Sequence, residues 1–490
     1  MNRLRRLFAA CATALVVFCA IPADLRAQAL SVSMTDARNR PIEPESLFHT
    51  LFADFFSEPD GTTYVQTGDI PAMWLRDSSA QTLPYVRFAT YAPILAVRID
   101  RVVQRDARNI LIDSYANAFQ ANYHVWERKW EVDSLAWPVL LAWLDWRNSG
   151  ERAIFTPQLH SAFRRIVATY ACEQKHAQCS HYRDERAATQ STYNPDTGMI
   201  WDAFRPSDDA VTYRFNIPQE AIAVAAMQDI AVMAELMLHD YALSAAAKRI
   251  AADVTTGILR YGRVYVPANG GWMYAYETDG DGHYLFADDA NVPNLTSLPA
   301  LEWCSSSDPD YLNTRAFALS SKNPWFFRGR YAEGLGSPHT PRGYVWPLGI
   351  IARALTSTSS SEVAESVTTL AETDSADGLI HESFSPDGYW RFTRSEFGWA
   401  NAFYAELIFR SVAGFDSPSL TPYGPILFGE VRSQTPVLAR PVIQLSSAGA
   451  ILNALSHLLA RANGRDGIPR NQSAADAFPT LRRPLQSAVR

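Results

Sequence analysis

Residues 217–243 read IPQEAIAVAAMQDIAVMAELMLHDYAL. Ile222, Ala226, Ile230, Met233 and Met237 recur at steps of three and four, the spacing that places side chains on one face of an α-helix. Residues 133–146 repeat the pattern with Leu135, Val139, Trp143 and Trp146. Both stripes read as core. Further helices are expected over 314–319, 346–357, 361–373 and 397–412. Between them, residues 66–81, 191–213, 276–298, 322–343 and 378–399 are polar, aromatic and rich in Gly and Pro. Helical pairs joined by long, chemically loaded loops imply an all-α toroid, in which inner and outer helices alternate and the loops at one end build the site. Short strand signals at 263–267 and 271–276 read as a hairpin inserted in a loop.

Composition narrows the function. The chain has 490 residues, 47% hydrophobic and 12% aromatic, too apolar for disorder and ample for a large core. A net charge of -7 offers no basic stripe for phosphate backbones, so nucleic acid is not an expected partner. Arg3, Arg5 and Arg6 open the chain, an apolar run follows over 7–21, and Ala27-Gln28-Ala29 offers a small-x-small cleavage site. Residues 1–29 therefore read as a secretory signal. The run is short for a bilayer span, so the mature protein is expected in the periplasm or outside the cell, without stable membrane insertion. Cys172 and Cys179 are spaced to close a small loop in an oxidising compartment, which leaves Cys304 as an odd thiol. No Cys/His spacing resembles a zinc site. The body is expected over 30–415. A Pro-, Ser- and Gly-rich stretch over 417–441, a helical 444–463 and a polar tail make 416–490 a C-terminal extension, partly disordered or packed on the barrel.

The chemistry lies in two carboxylate segments, FRPSDD at 204–209 and HESF at 381–384. Glycosidic cleavage needs one carboxyl that holds a proton for the leaving oxygen and one that stays ionised, to activate water or attack the anomeric carbon. Adjacent Asp208 and Asp209 repel when both are ionised, which raises one pKa, and an aromatic wall raises it further. The structural alternative makes both N-cap residues of a helix beginning near Ala210.

These segments belong to an ordered set. TGDIPAMWLRDS at 67–78, WERKWEVDSL at 126–135, then 204–209, Asn323-Pro324, SPHT at 337–340, 381–384 and Trp399-Ala400-Asn401 together closely resemble glycoside hydrolase family 125, over roughly residues 47–412. The resemblance implies an (α/α)6 barrel and an exo-acting α-mannosidase that removes terminal mannose from α-1,6 linkages of mannose-containing glycans. It also implies inversion, with no metal and no cofactor. Glu382 maps to the general base and Asp208 or Asp209 to the general acid. The spacing to Glu382 favours Asp209. An inverting pair is expected roughly 6.5 to 9.5 Å apart, to leave room for water.

Around this pair, Asp69, Trp74, Arg76 and Asp77 suit a sugar: charged groups for paired hydroxyls and an indole for an apolar ring face. Their structural alternative is an internal Arg–Asp ion pair that fixes a loop. Arg128 and Asp133 are further subsite candidates, while Glu131 reads as solvated or paired. Arg205 is expected to bind a hydroxyl or hold the acid's neighbour, pointing away from the acid itself. His339 is a candidate donor to a mannose hydroxyl, and the resemblance adds Asn401. The Asp-rich run from Asp279 to Asp289 lacks the spacing and closing Glu of an EF-hand. Two departures from the family pattern, Gln219-Glu220 and Ser395-Glu396, are expected to alter the preferred leaving group if they line its side of the pocket. A trehalase- or glucoamylase-like α-glucosidase, an exported glycan-binding protein of the same fold, and more weakly an unsaturated uronide hydrolase are the other classes considered.

Overall fold

The computed structural model describes residues 46–411, apart from 91, 151, 188–191 and 375–377, together with short pieces near 34–42 and 451–458. The signal segment and most of the C-terminal extension lie outside the described residues. Within 444–463, Ile451, Ala454, Leu455 and Leu458 are helical and buried in the main core cluster.

The principal helices are α1 Leu75–Thr82, α2 Pro93–Ile112, α3 Val132–Ser149, α4 Pro157–Glu173, α5 Ile217–Leu236, α6 Tyr241–Gly257, α7 Pro309–Ala318, α8 Pro347–Leu355, α9 Ser360–Glu372 and α10 Gly398–Ser411. They alternate between two layers. In the inner layer α1 touches α3, α3 touches α5, α5 touches the short helical turn Leu295–Ser297, that turn touches α8, α8 touches α10, and α10 returns to α1. The ring is closed. Outer α2, α4, α6, α7 and α9 follow their inner partners in sequence.

Side chains explain the layering. Helix α5 is buried on nearly every face, and its alanines at 221, 223, 225, 226, 231 and 234 let neighbouring backbones approach closely. Helix α2 instead buries one stripe, Leu95, Ile99, Val102, Val103 and Ile110, as an outer helix should. Helix α1 is buried throughout although most of its residues are polar, because they find partners inside. Ser78 and Ser79, for example, donate to Asp106 on α2 at 3.0 and 3.2 Å.

Helix ends differ as well, though not strictly by layer, since inner α5 is capped by Asn216 and outer α2 has no side-chain cap. Outer α4, α6, α7 and α9 carry side-chain caps from Thr156, Asp240, Asp308 and Ser359. Inner α1, α3 and α8 begin after Trp74, Glu131 and Trp346, none of which caps its helix. The loops entering α1, α3, α5, α8 and α10 all reach the same end of the ring, where the positive ends of the helix dipoles converge.

Three expectations need correction. The stripe over 217–243 spans two helices: α5 stops at Leu236, His239 takes a left-handed φ of 52°, and Asp240 accepts from Leu243 N–H at 3.0 Å to start α6. Residues 75–81, read as loop, fall within α1. No helix begins near Ala210, which instead bridges Phe204 across a tight turn. The hairpin is present as strands Arg263–Val266 and Gly271–Tyr274, and Cys172 and Cys179 form a disulfide. Cys304 is half-buried, its thiol pKa pushed up by burial.

Candidate active site

Asp208 and Asp209 stand on a turn built for display. Asp208 N–H donates to the Arg205 carbonyl at 2.9 Å, with Pro206 fixing the second position, and Arg205 N–H donates to the Asp209 carbonyl at 2.8 Å. Asp208 has φ 66°, a left-handed conformation that Asp tolerates better than most residues. Such local strain collects at functional sites. Arg205 anchors the turn from behind: its Nε lies 2.6 Å from Glu277 Oε1 and its Nη2 donates to Thr212 at 3.1 Å. Its guanidinium is thus engaged by Glu277 and Thr212 and serves the loop, although its charge still acts on Asp209.

The two aspartates meet different surroundings. Arg76, 3% exposed, donates to Asp208 Oδ1 at 3.3 Å, to Glu131 at 2.9 Å and to Asp133 at 3.3 Å. Asn117 reaches Asp208 at 3.4 Å and Lys129 Nζ lies 3.9 Å from it. Burial works against ionisation, yet a hydrogen bond from Glu131, then Lys129 and Arg76, hold Asp208 down at about 2. Burial raises the pKa of the adjoining Glu131 well above the usual range. Asp77, with Oδ2 3.6 Å from Arg76 Nε, is pushed by burial to about 7. Asp209 is shifted upward, first by burial and then by the charge of Asp289, while His339, Ser207 and Arg205 pull against it. Ser207 donates to Asp209 at 2.9 Å, and His339 Nδ1 sits 3.8 Å away.

Glu382 lies on a second loop, 6% exposed. Arg394 donates to it from Nε at 3.2 Å and to Asp69 from Nη1 at 2.9 Å, so a single guanidinium joins segment 67–78 to segment 381–384. Behind Glu382, His381 stacks on Phe392 with ring centroids 3.7 Å apart. The pairing of Val345 with Phe384 ties this loop to the one bearing His339. Aromatic contacts run from His339 to Trp346, then Phe397, then Trp399, over which Arg76 sits at 5.4 Å. One wall thus connects both carboxylate groups.

Not every expected residue faces this space. Asp69, Asp209 and His339 are part-exposed. Arg76, Asp77 and Asp133 are buried beneath them, so the internal ion-pair reading holds there. Trp74 is 8% exposed and packs with Ala72 and Ala118. Arg128 turns outward to Asp113 at 2.6 Å, over Tyr115 and Tyr182, and is no part of the cluster. Asn401 spends its amide on backbone: it accepts from Ile380 N–H at 2.9 Å and donates to the Ile380 and Phe397 carbonyls at 3.1 and 2.9 Å. It holds the Glu382 loop and has no group left for a sugar. Glu131 is paired and fully buried, not solvated.

Gln219 and Glu220 also lie below the site. Gln219 accepts from Asp133 N–H at 3.1 Å and donates to Asp202 and the Phe204 carbonyl, and Glu220 accepts from Ile200 N–H. They do not line a leaving-group pocket. Glu396 is closer to the rim, with His49 at 2.7 Å. In the Asp-rich run, Asp279 binds His283, Asp288 accepts from Leu295 and Thr296, and Asp289 accepts from Asn291 and Ser337. Among the described residues, no group of His, Cys, Asp and Glu has a metal-binding arrangement. Sequence reasoning assigned no role to Arg394 or Asn117 and left Lys129 undecided between subsite and ion pair. Their signal was proximity to quoted motifs, and their partners come from distant segments.

A mainly apolar cavity of about 60 Å³, lined by Trp137, Leu140, Trp143, Leu355 and Phe403, lies among the C-terminal halves of the inner helices. Three carboxylates, Asp229, Glu302 and Glu406, also line it, Glu406 being held by Arg87 and Arg410, but the cavity includes no residue of the segments that carry Asp208, Asp209 and Glu382.

A closed inner ring with two carboxylate-bearing loops at one mouth defines the class of (α/α)6-barrel glycosidases. The glucoamylase of Saccharomycopsis fibuligera shares that fold, with a TM-score of 0.52 at 12% identity over 77% of this chain and 96% of its own. The chain belongs to the family of metal-independent α-mannosidases, GH125, whose model matches residues 42–409. A Streptococcus pneumoniae structure from an analysis of metal-independent α-mannosidases, in complex with α-1,6-mannobiose, is 36% identical, with a TM-score of 0.72 over 75% of this chain and 92% of that one. The meiotically up-regulated gene 157 protein of Schizosaccharomyces pombe is 34% identical over 389 residues, 71% of this chain and 76% of its own. The protein is accordingly a glycoside hydrolase of the α-mannosidase class.

Proposed function

We propose that the enzyme removes a non-reducing terminal mannose from α-1,6-linked mannosides with inversion, using Asp209 as general acid and Glu382 as general base. The observation that carries the assignment is the difference between two neighbours on one turn: Asp208 accepts from the buried Arg76 and from Asn117, whereas Asp209 is part-exposed beside Ser207 and His339, with burial shifting it upward. A general acid must keep its proton until the leaving oxygen takes it. Asp208, held by Arg76 and Lys129, suits a fixed negative charge near the oxocarbenium-like ring. In the step itself, Asp209 gives its proton to the departing O6. Glu382 takes one from a water whose oxygen bonds to C1 on the opposite face, and β-mannose leaves. The solved relative bound to α-1,6-mannobiose supports the linkage.

The test is hydrolysis of α-1,6-mannobiose in EDTA, with the first-formed anomer followed by NMR. Wild type is expected to release β-mannose, and Asp209→Asn and Glu382→Gln to lose about 10²- to 10⁴-fold in kcat. α-Mannose as first product would replace inversion with retention. Full activity in Asp209→Asn would move the acid to Asp208. Export to the periplasm or beyond completes the proposal, supported by segment 1–29 and the Cys172–Cys179 disulfide. N-terminal sequencing of the mature protein checks it.

A further inference from the structure

The loop carrying Glu382 runs directly into strands Phe384–Ser385 and Gly388–Phe392, which pair Phe384 with Phe392 and return the chain to Arg394. The returning strand bears Tyr389 and Trp390. Tyr331, from another loop, lies 5.3 and 6.2 Å from their rings, and Tyr389 and Trp390 are 5.5 Å apart. Trp390 is 59% exposed and Tyr331 37%, which is costly for large rings unless something covers them.

The group is firmly held. Tyr331 N–H donates to the Pro386 carbonyl and Arg330 N–H to Asp387, both at 2.8 Å. Gly329 allows that contact, since a Cβ there would stand 2.7 Å from the Pro386 carbonyl carbon. Trp390 rests against Gly388, where a Cβ would come within 3.0 Å of the indole. Arg330 backs Tyr331 at 5.3 Å. By strand alternation, Trp390 shares a face with Phe392, the ring stacked beside Glu382 through His381. The strand ends at Phe392, and a bend at Thr393 brings the chain to Arg394, so Trp390 stands four residues along the hairpin from the guanidinium that holds Glu382.

We propose that the exposed rings of Tyr331 and Trp390, buttressed by Tyr389 from the other face of the strand, form a binding platform for the glycan beyond the cleaved linkage, so that the preferred substrate is an oligosaccharide rather than a disaccharide. Rigid aromatic faces stack on the apolar faces of pyranose rings at little entropic cost. Continuity with the Glu382 hairpin distinguishes this group from Tyr265 and Trp272, exposed rings 5.4 Å apart on the 263–274 hairpin. The proposal rests on the mannosidase reading, and its test separates the two.

Steady-state kinetics on α-1,6-mannobiose and α-1,6-mannotetraose are compared for wild type, Trp390→Ala and Trp272→Ala. Trp390→Ala is expected to raise KM for the tetraose about tenfold, with kcat held and mannobiose unaffected, while Trp272→Ala matches wild type. An unchanged tetraose KM, or an equal rise for both sugars, overturns the platform. A wild type that hydrolyses neither sugar overturns the catalytic reading alone. Calorimetry of the tetraose against wild type and Trp390→Ala then decides the platform, which falls if both bind equally or neither binds.

Discussion

Arg76 is the residue on which the charge balance turns. Its neighbours Asp77, Glu131, Asp133 and Asp208 are all acidic, and it is buried with them. Removing one partner from a buried charged network costs about 3 to 5 kcal/mol, because the groups left behind keep their desolvation. Arg76→Met is expected to destabilise the fold by that order in urea melts and to abolish turnover. A variant with wild-type stability would show that the network is solvated. Side-chain identity announced some of this. Two aspartates after Arg-Pro-Ser were legible as chemistry, and Arg76 beside Asp77 as an ion pair. Direction was not legible: Arg128 resembles a subsite residue in type yet points to Asp113, and Asn401 looks like a hydroxyl donor yet grips Ile380. Arg394 went unread because both its partners are fixed by folding, Asp69 lying 325 residues away.

At the scale of elements, apolar period was the dependable signal. Helix α3 was visible from its stripe, but the stripe of α5 ran on past Leu236 because periodicity does not register a left-handed His239 or an Asp240 cap. Helix α1 stayed hidden for the opposite reason, since its polar residues are buried by partners rather than by hydrophobicity. The loop before α1 is fixed by a close approach. Gly68 has φ 51°, and a Cβ there would lie 2.5 Å from the Glu396 carbonyl oxygen. Gly68→Ala combines left-handed strain with a backbone collision, so a loss of about 2 kcal/mol or more is expected. Activity should fall with it, since Asp69 and Arg394 meet across this contact. Thermal melts and kcat/KM on one preparation check both, and an unchanged pair would mean the loop is free to shift.

For the whole molecule, buried acids set the response to pH. Burial pushes Asp77 and Asp288 to about 7 and Asp106 to about 8, whereas an unfolded chain releases those protons near pH 4. Between those limits the folded state binds more protons than the unfolded one, so stability falls as pH rises from about 4 to 8. Asp240 behaves oppositely: hydrogen bonds from His160 and Leu243 N–H hold it at about 2, a contribution present above pH 4 and lost in stronger acid. The Tm is therefore expected to peak in mild acid and to be roughly 5 °C or more higher at pH 5 than at pH 8. A flat profile would place water around the buried aspartates.

The ring closes late in the life of the chain. Helix α10 packs on α1, Phe409 meets Phe48 at 5.7 Å, and Arg394 joins Asp69 to Glu382. A ribosome must complete residue 411 before the first inner helix has its second neighbour, so a nascent polypeptide exposes unpartnered apolar helix faces for most of its synthesis. Long-range closure of this kind folds slowly and invites aggregation on the way. Any shortened product ending before α10 lacks both a sealed barrel and a held base, which makes completed synthesis itself a condition for activity.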